Sequence, residues 1–366
     1  MWFGIFAGGF ILAVLAALFL MSRALRFGFP KRIYEKNKAL GILASTWPVL
    51  ICLPFLFINL IAFIIAFIHL FLFWCLVDGV AFVFRKLRGR ERAARYINGF
   101  IAIGLTFVYL SYGWIMAHTV LETNYEIETE KSLGQQTLRV VAIADLHAGM
   151  TLKGEELFEE CERINRLSPD IVVICGDFVD DDTSREEMLE ACRAMGRLKT
   201  RYGVYFVFGN HDRGYYRDKA FSEVELRENL RENGVRVLSD EVVLINDSFY
   251  IAGREDRSSK DRKSAEELLS DVDKSKYIIM LDHQPNDYDA IAESGADLVI
   301  SGHTHGGHIF PAGLFGYIMG ANDMVYGMES VDGTTFVVTS GISGWAIPFK
   351  TFTSSEFVVI DIDNKQ

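Results

Sequence analysis

The fold class predicted by the sequence is α/β, two layered sheets flanked by helices, preceded by an all-α transmembrane region. Three observations predict it. Charge divides near residue 120: residues 1–120 hold 12 lysines and arginines against three acids, a net of +9, whereas residues 121–366 stand at −20. In the second part, apolar runs rich in β-branched residues alternate with stretches whose apolar residues recur at helical spacing. The last two runs have no helical stretch between them, so antiparallel pairing is expected, and a sandwich rather than one parallel sheet.

In chain order, residues 2–22 carry no charge and match the roughly 20 residues that span a bilayer. No basic n-region precedes them, so they read as a retained helix and not a cleaved signal. The apolar stretch 41–84 is about twice one span, with Pro48, Pro54 and Asn59 marking a break, and a further span runs from Ile97 to Val120. Residues 1–120 therefore read as a membrane domain of about four helices. Arg23, Arg26, Lys31, Arg32, Lys36 and Lys38 follow the first span; Arg85, Lys86, Arg88, Arg90, Arg92 and Arg95 precede the last. Both clusters belong in the cytoplasm, which requires an even number of crossings between them. The expected product is a multi-pass cell-membrane protein whose acidic part lies outside the cytoplasm. His69 and Asp78, polar groups in or near a span, read as structural rather than as a transport path.

Residues 121–136 read as an acidic linker and 137–366 as a single α/β domain. Its runs are 138–144, 170–175, 203–208, 276–281 and 296–301, then 334–341 and 356–363; "GEELFEECERINRL" and "SREEMLEACRAMGRL" supply helices between the first three. A domain this acidic disfavours nucleic acid, whose binding depends on lysine and arginine displacing counterions from phosphate. Any phosphate it handles has to be attracted locally, by metal cations. Cys161, Cys175 and Cys192 form an odd set without paired spacing, and Cys175 reads as a small buried hydrophobe.

The chain has 8 histidines, and six of them sit just beyond short apolar runs: His147, His211, His283, His303, His305 and His308. Asp145 and His147 follow the first run, Asp177 the second, Asn210 and His211 the third, His283 the fourth, and His303 and His305 the fifth. Strand ends are where α/β sheets bind ligands. Asp145, His147, Asp177, Asn210, His283, His303 and His305 are too many ligands for one tetrahedral ion. They suit two adjacent ions sharing a carboxylate. Nitrogen and oxygen donors without thiolate favour Mn, Fe or Zn over Ca or Mg. Paired ions activate a shared water and clamp the attacking and leaving oxygens of an in-line displacement, which points to hydrolysis at phosphorus.

The ordered blocks "DLH", "GDFVD", "GNHD", "DHQP" and "SGHTHGG" resemble the calcineurin-like metallophosphoesterases, in particular their bacterial membrane-anchored branch, over about residues 137–362. The resemblance implies a metallophosphoesterase-type β-sandwich with one ion held by Asp145, His147, Asp177 and His305. It implies a second ion held by Asp177, Asn210, His283 and His303, with Asp177 as bridge. His211 would face the phosphate, stabilising charge or protonating the leaving oxygen. Asp212 would orient His211 or cap the turn. For His308, a substrate contact and a satisfied loop histidine both stay open.

The loops 309–320 and 341–349 are unusually apolar. Either they form a lip beside the site, with Leu314, Phe315, Trp345 and Phe349 meeting membrane or acyl chain, or they pack beneath the sheet. The expected function is a membrane-anchored two-metal phosphoester hydrolase acting on a lipid-linked phosphate, with membrane lipids as partners. A nucleotide pyrophosphatase or phosphodiesterase and a non-enzymatic, metal-stabilised membrane scaffold are the alternatives.

Overall fold

The computed structural model describes residues 2–89, 96–214, 220–311, 313 and 318–365, and it divides into two units, Met1–Tyr112 and Gly113–Gln366.

In the first unit, helix α1 (Trp2–Ala24) is followed by α2 (Gly28–Lys36), and Phe10–Ala24 meets α2 at a 91° bend. Two spans were expected in residues 41–84; the structure has one there. Pro48 and Pro54 lack the amide a continuous helix needs, and the segment breaks into α3 (Lys38–Ala44), α4 (Trp47–Leu50) and a 3-10 turn at Leu53–Phe57. Asn59 then accepts a hydrogen bond from Ala62 N and caps a single 29-residue helix, α5 (Leu60–Arg88). Among the described residues, α5 and α6 (Asn98–His118) are long and apolar enough to cross a membrane, and the bent α1/α2 pair makes a third only if it counts as one span. Against the expected count of four, the described residues thus give two spans, or three with the bent pair; Arg90, Arg92 and Arg95 lie outside the described residues. His69 Nδ1 donates to Ile65 O at 2.8 Å and its ring stacks on Tyr109, and Asp78 is a hydrogen-bond hub for Tyr96 and Asn98.

Among its described residues, the second unit holds twelve strands: β1 (Val120–Thr129), β2 (Thr137–Ile143), β3 (Ile171–Cys175), β4 (Val204–Val207), β5 (Val235–Val237), β6 (Glu241–Ile245), β7 (Phe249–Gly253), β8 (Tyr277–Leu281), β9 (Leu298–Ser301), β10 (Gly327–Val331), β11 (Thr334–Val338) and β12 (Ser355–Asn364). They form two six-stranded sheets, ordered β1-β12-β2-β3-β4-β5 and β10-β11-β9-β8-β7-β6. The expected antiparallel pairing of the last two runs is only half right. β11 and β12 lie in different sheets; β11 runs antiparallel to β10 and parallel to β9, and β12 antiparallel to β2 and parallel to β1. The segment expected as a linker begins as strand β1, an edge strand in register with β12 from Val120 to Thr129.

Side chains alternate across each strand. Val140, Val173 and Val207 meet Ile251, Ile279 and Ile300 between the sheets. Val141, Ile143 and Val172 point the other way, onto α7 (Gly154–Arg166), α8 (Arg185–Met195) and α9 (Glu223–Glu232), through Leu157, Ile164, Met188 and Leu226. The far face of the second sheet is covered by α10 (Ala265–Leu268) and α11 (Tyr288–Ser294), with Met280, Val299 and Ile291 in contact. Strands buried on both faces read as unbroken apolar runs, which is why these runs stand out in the sequence. β2, β3 and β4 are mutually parallel, as are β8 and β9.

Candidate metal centre

The carboxyl ends of β2, β3, β4, β8 and β9 carry the candidate ligands, and two groups form there. Asp145, His147 and His305 make one; Asp177, His283 and His303 make the other, with ligand atoms in each group all within 4.8 Å of one another. Asp177 stands between them: its Oδ2 is 3.9 Å from His147 Nε2 and 3.1 Å from His283 Nε2. Asn210 Oδ1 lies 3.1 Å from the same His283 nitrogen. All seven residues expected as ligands are thus brought to one place.

The backbone gives up local comfort to achieve this. Asp145, His147, Asp177, His303 and His305 all adopt positive φ, a region non-glycine residues rarely enter, and such strain concentrates where a site over-determines its own geometry. Glycine makes the approach possible at Gly302, where a Cβ would fall 2.6 Å from Asp145 Oδ2, and at Gly176 (φ 78°), where it would fall 2.6 Å from His283 Nδ1.

Hydrogen bonds then aim the ligands. His283 Nδ1 is 2.7 Å from the Cys175 carbonyl, which only accepts; Nδ1 therefore carries a proton, and Nε2 is the nitrogen turned toward Asp177. The Asp145 carboxylate accepts from His303 N, and Asp177 Oδ1 from His211 N at 2.7 Å. Behind His147, Asp180 Oδ2 lies 3.4 Å from Nδ1, while Asp180 Oδ1 is fixed by the amides of Asp182 and Thr183. Nothing in sequence reasoning gave Asp180 a role, although it closes the "GDFVD" block.

Asp212, expected either to orient His211 or to cap the turn, caps. Its buried carboxylate accepts four backbone N–H groups, from Asp177, Phe178, Val179 and Gly209, and so fastens the loop after β3 to the loop after β4. His211 lies beside the centre, its ring 5.3 Å from that of His147. His308 is buried, stacked on His305 at 4.9 Å, with Nε2 3.0 Å from the Ile347 carbonyl, so one face and one nitrogen are already used.

Of the apolar loops, Leu314 and Phe315 lie outside the described residues. Trp345 is 39% exposed, and its ring centroid is 4.9 Å from that of His211. Phe349, expected at an interface with membrane, is instead buried and packs edge-on against Trp114 in the last turns of α6. That approach needs Gly113, whose carbonyl accepts from Lys350 N at 2.9 Å and where a Cβ would meet Thr351.

The residues fit divalent ions. His147 Nε2 and His305 Nδ1 are buried without a hydrogen-bond partner, a costly condition for polar atoms unless they have another use. Burial holds His303 down to about 4 and His305 well below the usual imidazole range, so both rings are neutral and their lone pairs stay available. Burial lifts Asp145 to about 6, with Asp177 adding to it and His283 opposing; burial resists ionisation of Asp177 too, but His283 holds it below the usual carboxylate range. Two carboxylates in one dry pocket call for cations. Cys175 contributes its carbonyl only, since burial pushes its thiol far up.

The profile of the calcineurin-like phosphoesterases matches residues 138–307. A transmembrane protein with metallophosphoesterase domain from Danio rerio is 30% identical, covering 81% of this chain and 70% of its own length. An uncharacterized metallophosphoesterase from Aquifex aeolicus is 32% identical over 68% of this chain and 96% of its own length. One from Helicobacter pylori strain J99 is 28% identical over 83% of this chain and 79% of its own length. Among solved structures, TT1561 of Thermus thermophilus aligns at a TM-score of 0.39 with 11% identity, covering 56% of this chain and 91% of that one.

Proposed function

The chain belongs to the calcineurin-like phosphoesterase family and is a metal-dependent phosphoester hydrolase, and from that premise we propose that it is membrane-anchored, works with two ions and cleaves a lipid-linked phosphate. The observation that carries the two-ion reading is Asp177, whose carboxylate belongs to one ligand group and lies 3.9 Å from His147 of the other. Asp145, His147, Asp177 and His305 would hold one ion, and Asp177, Asn210, His283 and His303 the other. Mn, Fe or Zn suits these donors. Such ions supply Lewis acidity, polarising phosphoryl oxygens and activating water.

The chain's own residues do the rest. His283 is locked in one tautomer by the Cys175 carbonyl, and His147 is backed by Asp180, so neither ligand has to reorganise during turnover. His211 stands beside the ligand groups with its amide on Asp177, placed to donate a proton to the leaving oxygen. Support for a lipid-linked substrate comes from the rim. Trp345 adjoins His211, Phe310 and Phe352 are half exposed on neighbouring loops, and the segment that carries Phe349 and Lys350 docks on the end of an apolar helix. The transmembrane naming of the Danio rerio relative and the apolar helices α5 and α6 support anchoring.

The test uses the full chain in detergent, stripped and reloaded with Mn, Zn or Fe, against aryl phosphomonoesters and phosphodiesters. Activity restored by metal and lost in Asp177→Asn is expected; silence in a folded, metal-loaded protein would return the scaffold reading. His211→Ala keeps both metals and loses turnover if that imidazole works on the substrate. Trp345→Ser lowers hydrolysis of a lipid phosphate while sparing the aryl ester, and equal loss on both sinks the lipid assignment.

A further inference from the structure

The apolar stretches of α1 and α5 end in a similar way. Phe19 is followed one turn later by Arg23, then by Arg26, and Phe82 is followed one turn later by Arg85. These five residues line a common cavity of about 310 Å3 together with Asp78. Asp78 has cations or donors at both oxygens: one lies 2.8 Å from Arg23 Nε as an ion pair, and the other accepts from Tyr96 OH at 2.9 Å and Asn98 Nδ2 at 2.8 Å. It offsets one guanidinium. Arg26 stays 3.9 Å from it, too long for a hydrogen bond, and Arg85 makes no ion pair among the described residues. Three guanidinium groups against one carboxylate leave a net positive charge on a cavity that Phe19 and Phe82 also line.

We propose that this cavity binds the phosphate of an anionic phospholipid. Guanidinium groups match phosphate oxygens in a planar, two-pronged geometry. Basic pockets among membrane helices at the level of the headgroups are suited to acidic lipids. A soluble anion would use the arginines alone; the phenylalanines one turn deeper on both helices fit the glycerol and upper acyl region of a lipid. The inference rests on the membrane reading above and is separate from the hydrolytic centre, so the lipid bound here is a resident rather than a substrate.

The full chain is placed in nanodiscs of phosphatidylcholine alone, and separately of phosphatidylcholine with phosphatidylglycerol, and the lipid retained after transfer to neutral detergent is counted by mass spectrometry. Selective retention of one phosphatidylglycerol is expected. Arg26→Gln combined with Arg85→Gln should weaken it by about tenfold or more, as expected for two surface-level cations, while Lys36→Gln with Lys38→Gln, outside the cavity, should not. Arg85→Gln alone, at a side chain without an ion pair among the described residues, gives a partial loss and serves if the double variant misfolds. Unchanged retention in the Arg85 variant, equal loss in the lysine pair, or displacement of the lipid by millimolar inorganic phosphate would overturn the proposal. A chain that fails to enter phosphatidylcholine nanodiscs would refute the membrane reading; one that enters but does not select refutes only the cavity.

Discussion

His283 reaches from the end of β8 to the carbonyl of Cys175 at the end of β3, 2.7 Å from its Nδ1, and this contact crosses from one sheet to the other. The imidazole is thereby both a ligand candidate and a fastener of the sandwich at its catalytic edge. On the two-ion proposal, His283→Gln should leave a folded protein with about one metal per chain instead of about two, and cut hydrolysis by roughly 100-fold or more, since half of the clamp on phosphorus would be lost with the second ion. Metal analysis of the purified variant beside its rate decides it. Two metals retained at full occupancy would show that His283 only braces the sheets.

Asp180 bears on His147 from behind. A carboxylate hydrogen-bonded to a ligating imidazole fixes its orientation and basicity, and its loss costs about 10- to 100-fold in metal affinity or activity. Asp180→Asn should therefore lower activity at limiting metal and recover part of it when metal is raised, a pattern measured by titrating the stripped protein. Loss that excess metal does not relieve at all would place Asp180 in the substrate's path instead.

Asp212 is the acceptor for four buried amides from two loops. Replacing it with alanine strands these donors, at about 1–3 kcal/mol for each one that finds no substitute. If even one or two remain unpaired, the expected loss is on the order of 3 kcal/mol, or a melting point lower by about 6–12 °C for a unit of this size. Thermal unfolding of Asp212→Ala in detergent measures it. A variant that melts like the parent but is inactive would restore the reading of Asp212 as a partner of His211.

How much of this was legible beforehand follows from what leaves a mark on sequence. Strands buried on both faces must be apolar throughout, and glycines must precede ligands that crowd together, so Asp145, Asp177, Asn210, His283, His303 and His305 could be placed at strand ends from the runs alone. Roles played through backbone amides leave no such mark: Asp180 and Asp212 look like any acidic turn residues until the four N–H groups or the His147 ring are seen. Strand β1 was missed because an edge strand solvates its outer face. Glu122 and Glu128 point outward while Val120 and Ile127 are buried, and the segment reads as charged linker. In the first unit, length alone suggested two spans where proline had broken one into short turns.

Lys350 offers a test in pH. Its Nζ is buried, 2.6 Å from Ser340 O and 3.0 Å from Gly341 O, and burial pushes it from the ordinary lysine range down to about 7. A neutral amine has two N–H donors, enough for both carbonyls. With the folded value near 7 and the unfolded one near 10.5, the unfolded chain binds the extra proton throughout that window. Stability from this group therefore rises with pH between about 7 and 10.5, by at most about 1.4 kcal/mol per pH unit, and below pH 7 its charged form is a constant cost. Other groups titrate in the same range, so the readout is the difference between the parent and Lys350→Met, whose side chain cannot titrate. The parent should gain on the variant as pH climbs from 7 to 10, in melting profiles of the full chain at matched ionic strength. Parallel profiles would mean that the ammonium stays charged, held by Asp145 and Glu356 more firmly than burial opposes it.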